Sequence, residues 1–215
     1  MKQNYQLMLD KLIEAECAGG RRPTLLLHAC CAPCSSYVLE YLTQYFEITL
    51  YFYNPNISHV EEHDFREREL VRLVEEMGLS DRVRIQEGTY EPERFLEMAK
   101  GLEMLDEGGE RCKKCYEMRL SASARVAKEQ NFDFFTTTLS ISPHKNAAWL
   151  NEIGERMAET YGVRYLTSDF KKRNGYKRSC ELSEQYDLYR QDYCGCIYSK
   201  QAAERRVKTS LITRN

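Results

Sequence analysis

The chain has 215 residues, of which 42% are hydrophobic and 30% are charged, and its formal net charge is −2. This balance excludes a disordered chain, and the near-zero net charge excludes a uniformly basic nucleic-acid-binding protein. The sequence has no apolar run of the roughly 20 residues that a membrane span needs, and it has no secretory signal. We therefore expect a cytoplasmic protein that makes no contact with a membrane.

Short apolar or β-branched runs alternate with helical patterns between residues 24 and 166. The runs predict five strands, at 24–28, 47–53, 82–86, 132–136 and 163–166. Apolar residues recur at helical spacing in the segments 35–44, 61–77, 91–100, 112–130 and 145–161. Such alternation predicts an α/β fold with a mainly parallel sheet, in a single domain.

The C-terminal part predicts a loop, a helix at 181–190, a second loop and a last helix. We divide the chain into an N-terminal helix (1–22), an α/β catalytic domain (23–200) and a basic C-terminal tail (201–215). In open parallel sheets, ligands bind at the carboxyl ends of the strands. Thiol or polar side chains stand at the ends of three predicted strands: cysteines after the first, Thr136–Thr138 and Ser140 at or after the fourth, and Asp169 after the fifth. This arrangement predicts an active site at the carboxyl edge of the sheet.

The nine cysteines are the most informative feature of the composition. Seven of them fall into three groups: Cys30, Cys31 and Cys34; Cys112 and Cys115; Cys194 and Cys196. An odd number of cysteines in a chain without an export signal argues against a disulfide scaffold. We therefore expect the groups to bind metal or to carry out redox chemistry.

The first two groups have the pattern of metal ligands. Cys30, Cys31 and Cys34 surround the start of a predicted helix, where the helix dipole stabilises anionic sulfur. Cys112-x-x-Cys115 has the spacing of two thiolates that hold one zinc ion or one iron–sulfur cluster, and ligand count alone does not separate these two. A catalytic cofactor is favoured over a structural zinc, because a large α/β core needs no metal to fold.

The third group, Cys194-Gly195-Cys196, differs from the others. A disulfide between such near neighbours is strained and easily reduced, so a redox-active pair is favoured over two additional metal ligands. A further pattern, His59-x-x-Glu62-His63, matches a zinc-peptidase motif, but a solvated helix is favoured because no third ligand is apparent.

Basic residues are concentrated near the C-terminus. The segment 171–178 carries five positive charges, and tyrosines are interleaved with it and with the residues that follow. The segment predicts either a phosphate-binding surface with stacking rings or a solvated face with half-buried tyrosines. The predicted RNA contacts are Lys171, Lys172, Arg173, Tyr176 and Arg190.

Taken together, the motifs resemble those of the epoxyqueuosine reductases of the QueH type. The resemblance covers about residues 23–200 and rests on six segments: His28-Ala-Cys30-Cys31-Ala-Pro-Cys34, Tyr51-Phe-Tyr-Asn-Pro-Asn56, Arg111-Cys112-x-x-Cys115-Tyr-Glu-Met-Arg119-Leu, Thr136-Thr-Thr-Leu-Ser-x-Ser-Pro143, Asp169-Phe-Lys-Lys, and Tyr189-Arg-Gln-Asp-Tyr-Cys194-Gly-Cys196.

The resemblance implies a HUP or PP-loop (Rossmann-like) fold and the reduction of epoxyqueuosine to queuosine at the wobble position of tRNAs with GUN anticodons. It further implies a 4Fe–4S cluster without cobalamin, and an electron donor that the sequence does not identify. The cluster ligands would be Cys30, Cys31, Cys112 and Cys115. Cys34 would bind a second, mononuclear metal, and Cys194 and Cys196 would form a redox-active disulfide.

The reaction needs an acid that protonates the departing oxygen, and the candidates are Asp169 and Asp192. Two other functions stay open at this point. One is a non-enzymatic zinc-binding RNA module, and the other is a PP-loop-like enzyme that transfers sulfur to tRNA with ATP. The second is disfavoured because cysteines stand where a Gly/Ser-rich phosphate loop would be, so ATP binding is not expected.

Overall fold

One parallel sheet of five strands forms the centre of the computed structural model, which describes residues 3–212 and the side chains as far as residue 206. The strands are Thr24–His28 (β1), Glu47–Phe52 (β2), Val83–Glu87 (β3), Phe134–Thr137 (β4) and Arg164–Tyr165 (β5). Their order is β3-β2-β1-β4-β5, and every neighbouring pair is parallel. This confirms the predicted α/β class and the five predicted strands.

The described part of the chain contains eight α-helices and two short 3-10 helices. The α-helices are Tyr5–Glu16 (α1), Ala32–Leu42 (α2), Val60–Glu76 (α3), Pro92–Ala99 (α4), Glu110–Glu129 (α5), Ala147–Tyr161 (α6), Gly175–Gln185 (α7) and Ile197–Ile212 (α8). The 3-10 helices are Ala18–Gly20 and Thr138–Ile141. Among these residues, no helix is both long enough and apolar enough to cross a membrane.

Helices cover both faces of the sheet, so its central strands are buried on both sides. Leu25 and Leu27 of β1 share a core with α2 and α3, whereas Leu26 packs on the opposite face with α5 and α6. Successive side chains of a strand point to opposite faces, and both faces here need apolar residues. This explains why β1 is a continuous run of leucines rather than an alternating pattern.

The site lies where the strand order reverses. From β1 the chain builds β2 and β3 on one side and later β4 and β5 on the other. At such a switch point the loops beyond neighbouring strands diverge and leave a crevice. Cys30 and Cys31 follow β1 at this crevice, and the 3-10 helix Thr138–Ile141 follows β4.

The prediction of a helix at 181–190 is wrong in position. Helix α7 begins six residues earlier, directly after Asn174, which adopts a left-handed backbone with φ 62°. Gly175 is required at the start of α7, because a Cβ there would lie 2.0 Å from the carbonyl oxygen of Phe170. The basic segment 171–178 is therefore a tight turn followed by a helix.

The ends of the chain adjoin the α/β core. Leu9 and Ile13 of α1 are buried in the core on the α2 side of the sheet. Helix α8 continues through residue 200, where the tail 201–215 is predicted to begin. The last three residues of that tail lie outside the described residues.

Candidate active site

Cys30, Cys31 and Cys34 lie where β1 leads into α2. Cys31 is the N-cap residue, and Pro33 occupies the first turn, where its missing N–H costs nothing. The three Sγ atoms lie within 4.8 Å of one another, and those of Cys30 and Cys31 are 3.7 Å apart. Three soft sulfur donors at this spacing can bind a metal ion.

The three thiols have different electrostatic environments. The pKa of Cys31 lies well below its usual range, because the thiols of Cys30 and Cys34 donate hydrogen bonds to its sulfur and the Arg66 guanidinium is close by. The pKa of Cys34 is raised well above its usual range by its role as a donor to these two sulfurs and by burial. Negative charge in this group is therefore concentrated on Cys31, at the N-terminus of α2.

Cys112 and Cys115 lie near the start of α5, three residues apart and hence on one face of the helix. The backbone N–H of Gly108 donates to Cys112 Sγ over 3.2 Å. Cys115 is buried, and burial raises the pKa of its thiol to about 11. These two sulfurs are not members of the compact group formed by Cys30, Cys31 and Cys34.

Two adjoining voids bring the three cysteine groups together. A cavity of about 520 Å³ is lined by Cys30, Cys31 and Cys34, among others. A much smaller void of about 20 Å³ is lined by Cys112, Cys115 and Cys196. Four residues line both voids: Glu107, Arg119, Lys145 and Cys194. The three cysteine groups thus line two neighbouring voids that share part of their walls.

The Cys194-Gly195-Cys196 segment is a fixed loop at the start of α8. Gly195 has φ 110°, and a Cβ there would lie 3.0 Å from Ile57 and 3.2 Å from the guanidinium of Arg66, so glycine is required. Cys194 is half-buried and lines the large cavity, whereas Cys196 is buried, which raises the pKa of its thiol to about 12. All nine cysteines are free thiols in this structure.

Arg119 is a fully buried cation between the groups. Its Nη2 donates to Asn54 Oδ1 over 2.5 Å, and its Nε lies 3.3 Å from Nε2 of His28. Burial and the Arg119 charge lower the pKa of His28 to about 3, so the imidazole is neutral. His28 does not line either void, and its ring instead contacts Arg119 and the hydroxyl of Thr137.

Arg66 of α3 is the second buried cation. Its Nη1 donates to the carbonyl oxygen of Cys194 over 3.2 Å, and its Nε donates to Glu62 over 2.7 Å. Glu62, a residue of the zinc-peptidase pattern, is thus engaged with Arg66. His63 of the same pattern is buried against the ring of Tyr90, with 4.3 Å between ring centroids.

The structure separates the two candidate acids. Asp192 lines the large cavity. Asp169 is not among its lining residues and forms an ion pair with Lys171, with 3.0 Å between Oδ1 and Nζ. Of the two predicted acids, only Asp192 lines the cavity.

The predicted RNA contacts are also divided. Tyr176 and Arg190 line the large cavity. Three cations of the basic segment form ion pairs: Lys171 with Asp169, Arg173 with Asp10, and Arg178 with Glu40 at 2.7 Å. Lys172 of the same segment is exposed. Much of the charge of this segment is therefore compensated by nearby carboxylates.

The structure also places at the site two residues that the sequence analysis did not select, Lys145 and Arg206. Lys145 Nζ lies 3.2 Å from Cys194 Sγ and 3.6 Å from a carboxylate oxygen of Glu107, and only 8% of its side chain is exposed. Arg206 of α8 lines the large cavity as well. The nearest sequence signal for Lys145 is its position two residues after the Thr136–Pro143 segment.

Comparison with known proteins shows the family of this chain. Residues 25–202 match the family described as epoxyqueuosine reductase QueH. This chain belongs to the QueH family. The matched range contains all three cysteine groups, and the resemblance found in the sequence is confirmed.

Relatives of this chain carry the same description, epoxyqueuosine reductase QueH. The relative from Streptococcus pyogenes serotype M1 is 43% identical over 200 residues, covering 92% of this chain and 78% of its own. That from Staphylococcus epidermidis is 45% identical over 202 residues, covering 92% and 85%. That from Thermotoga maritima is 34% identical over 195 residues, covering 89% and 96%.

Proposed function

We propose that this protein reduces epoxyqueuosine to queuosine at the wobble position of tRNA. The observation that carries the proposal is the convergence of three cysteine groups on adjoining voids at the switch point of the sheet. The QueH relatives, whose name states this activity for them, support it. A cavity of about 520 Å³ also falls within the size range of small-molecule sites and suits one nucleoside turned out of an anticodon loop.

The donor set of the site fits an iron–sulfur cofactor. We assign Cys30, Cys31, Cys112 and Cys115 as the ligands of a 4Fe–4S cluster, and Cys34 as a ligand of a second, mononuclear metal. The compact three-sulfur group and the adjoining pair on α5 offer soft thiolate donors, the type that such clusters require. When bound, the cluster would supply electrons one at a time, without cobalamin.

The remaining site residues would complete the reaction. Removal of the epoxide oxygen as water consumes two electrons and two protons. Oxidation of the Cys194 and Cys196 thiols to a disulfide releases the same numbers, so the pair can act as a two-electron store. Asp192, in the cavity wall, would protonate the departing oxygen.

The tRNA would bind over the mouth of the cavity. An anticodon loop offers unstacked bases, which proteins recognise by stacking on aromatic rings and by contacts from cationic side chains. Tyr176 and Arg190 line the cavity and suit these two roles. Lys171, Lys172 and Arg173 would contact phosphates farther from the reacting base. The electron donor would have to reach the same site.

Anaerobic purification followed by a turnover assay tests this function. We expect a brown protein that contains iron and sulfide and, with a chemical reductant, converts epoxyqueuosine in a tRNA with a GUN anticodon to queuosine, detected as loss of one oxygen by nucleoside mass spectrometry. Cys180→Ser, a substitution at a half-buried thiol of α7 that does not line either void, serves as the control. A colourless zinc protein would favour the RNA module, and ATP-dependent thiolation would favour the sulfur transferase.

A further inference from the structure

The two cysteines of the Cys194-Gly195-Cys196 loop have unequal surroundings. Cys194 is half-buried and lines the large cavity. Cys196 is 7% exposed and packs in a buried cluster with Phe95, Ala99 and Cys115. Its sulfur accepts a hydrogen bond from the Ser199 N–H over 3.4 Å. A reagent that enters through the large cavity reaches the sulfur of Cys194 first.

A polar network fixes Cys194 at this position. Lys145 Nζ lies 3.2 Å from Cys194 Sγ, and Glu107 Oε1 lies 3.6 Å from the same Nζ. The other oxygen of Glu107 accepts from Ser199 Oγ over 3.1 Å, and Ser199 Oγ accepts from the backbone N–H of Cys194 over 2.9 Å. The carboxylate thus anchors both the ammonium group beside the sulfur and the backbone that carries the sulfur.

Arg66 secures the same loop from the other side, through the carbonyl oxygen of Cys194. The loop is therefore held at the N–H, at the carbonyl and at the sulfur of one cysteine. A cation close to a thiolate stabilises its negative charge and so favours the thiolate as attacking and as leaving group. Lys145 makes this contact to Cys194.

We propose that Cys194 is the exchanging thiol of the pair, that Cys196 is the resolving thiol, and that Lys145 is the positioning residue that holds and stabilises the Cys194 thiolate. This inference rests on the proposed function, in which the pair cycles between dithiol and disulfide. It names the chemical class of reductant that restores the pair: an external dithiol, which exchanges at Cys194.

The exchange proceeds in two balanced steps. A thiolate of the external dithiol attacks Cys194 Sγ in the disulfide and forms a bond with it. The Cys194–Cys196 bond breaks, and Cys196 leaves and takes up a proton. The second thiol of the reductant then attacks the reductant's first sulfur, which is the one bonded to Cys194 in this mixed disulfide. Cys194 leaves as a thiolate beside Lys145, and the reductant becomes a disulfide, having given up two electrons.

Trapping of a mixed disulfide tests the assignment. Trypsin cleaves after Arg190 and Lys200 and releases a peptide, residues 191–200, in which Cys194 and Cys196 are the only thiols. We would expose anaerobic holoenzyme of Cys196→Ser and of Cys194→Ser to oxidised glutathione and follow the adduct on this peptide by mass spectrometry. We expect the adduct to form at least about tenfold faster in Cys196→Ser, whose remaining thiol is the accessible one. In guanidinium the two variants should react alike.

The role of Lys145 is tested in the Cys196→Ser background. Lys145→Met should slow adduct formation at neutral pH by about tenfold, because the attacking thiolate loses its stabilising cation. Lys145→Arg, which keeps the charge, should restore most of the rate. Equal slowing by Met and Arg would mean that Lys145 acts only through packing and would overturn its assigned role.

The failure of this inference can be told apart from the failure of the proposed function. If mild oxidation of the wild-type protein leaves both thiols of the 191–200 peptide free, the redox pair itself is refuted. If a disulfide forms but Cys196 reacts as fast as Cys194 in the folded protein, only the unequal roles are overturned.

Discussion

Two sets of cations in this protein have opposite surroundings. The surface basic run, residues 171–178, is exposed, and carboxylates pair with much of it; Arg173, for example, pairs with Asp10 and has a side chain that is 61% exposed. The site cations, Arg66, Arg119 and Lys145, differ in that their side chains are nearly inaccessible to solvent. They contact a thiol, a carbonyl oxygen or an amide, and carboxylates pair with two of them, Glu62 with Arg66 and Glu107 with Lys145.

The difference shows that charge density along a sequence does not locate the charges that act on the chemistry. The surface basic run is conspicuous because its residues are consecutive, yet its charges are shared with nearby acids and screened by solvent. The site cations are spread over about eighty residues of sequence and meet only in the folded protein. Weak screening in the protein interior strengthens the interaction of each of these charges with its neighbours.

The largest expected effect is on stability. Arg119→Leu should lower the free energy of unfolding by about 3 kcal/mol, because the buried amide oxygen of Asn54 loses its charged donor. Arg173→Leu, the matched surface change, should alter it by less than about 1 kcal/mol. Urea unfolding of both variants under anaerobic conditions measures the difference, and equal losses would contradict the contrast between the two sets.

A second expected effect concerns pH. Folded His28 stays neutral down to its pKa of about 3, whereas in the unfolded chain it takes up a proton near its ordinary pKa of 6.5. The unfolded state therefore binds more protons in this window, and the stabilisation present above pH 6.5 is lost as the pH falls, by up to about 1.4 kcal/mol per pH unit.

His28→Gln should remove this contribution. We would compare urea unfolding of wild type and variant at about pH 7, 6 and 5, the range in which His28 contributes to the pH dependence. The wild type should lose stability more steeply than the variant as the pH falls. If the free energy of unfolding falls equally with pH in wild type and variant, His28 does not change its proton binding on folding.

The smallest expected effect separates the cavity mouth from the surface basic run in tRNA binding. Arg190→Ala with Arg206→Ala should reduce the slope of log affinity against log salt by about 2, since two phosphate contacts are lost. Lys171→Ala with Arg173→Ala removes the same number of charges, but both side chains are ion-paired, so we expect a reduction of about 1 or less. The reverse order would place the main footprint on the surface run.

Much of the fold could be predicted from the sequence because its local and global patterns agree. Apolar runs alternating with helical spacing give a parallel sheet, and the cysteines after β1 mark the edge where ligands bind. The position of α7 could not be predicted, because its first residue, Gly175, packs closely against the ring of Tyr37 in α2 as well as against the carbonyl oxygen of Phe170. The contact with α2 is a tertiary feature that no local pattern records.

The site was predictable to a similar degree. The cysteine groups are visible because their spacing is local. Lys145 was missed because it contacts Cys194, which is far from it in the sequence. Glu107 was missed because it contacts Lys145 and Ser199, which are also far from it along the chain. The burial of Arg119 could not be predicted, because an arginine in an amphipathic helix is expected on the exposed face until the fold is known.

In the proposed site, Cys112 and Cys115 bind one cofactor together with the distant Cys30 and Cys31, while Cys194 and Cys196 do not bind it. The most direct test is the content of iron and acid-labile sulfide in anaerobically purified protein. We would measure it in the wild type and in five variants: Cys112→Ser, Cys115→Ser, Cys194→Ser, Cys196→Ser and Cys180→Ser. We predict that the first two variants lose nearly all iron, sulfide and colour, and that the last three retain them. Full iron and sulfide in Cys112→Ser and Cys115→Ser, or loss of iron from Cys194→Ser or Cys196→Ser, would contradict this division of the site.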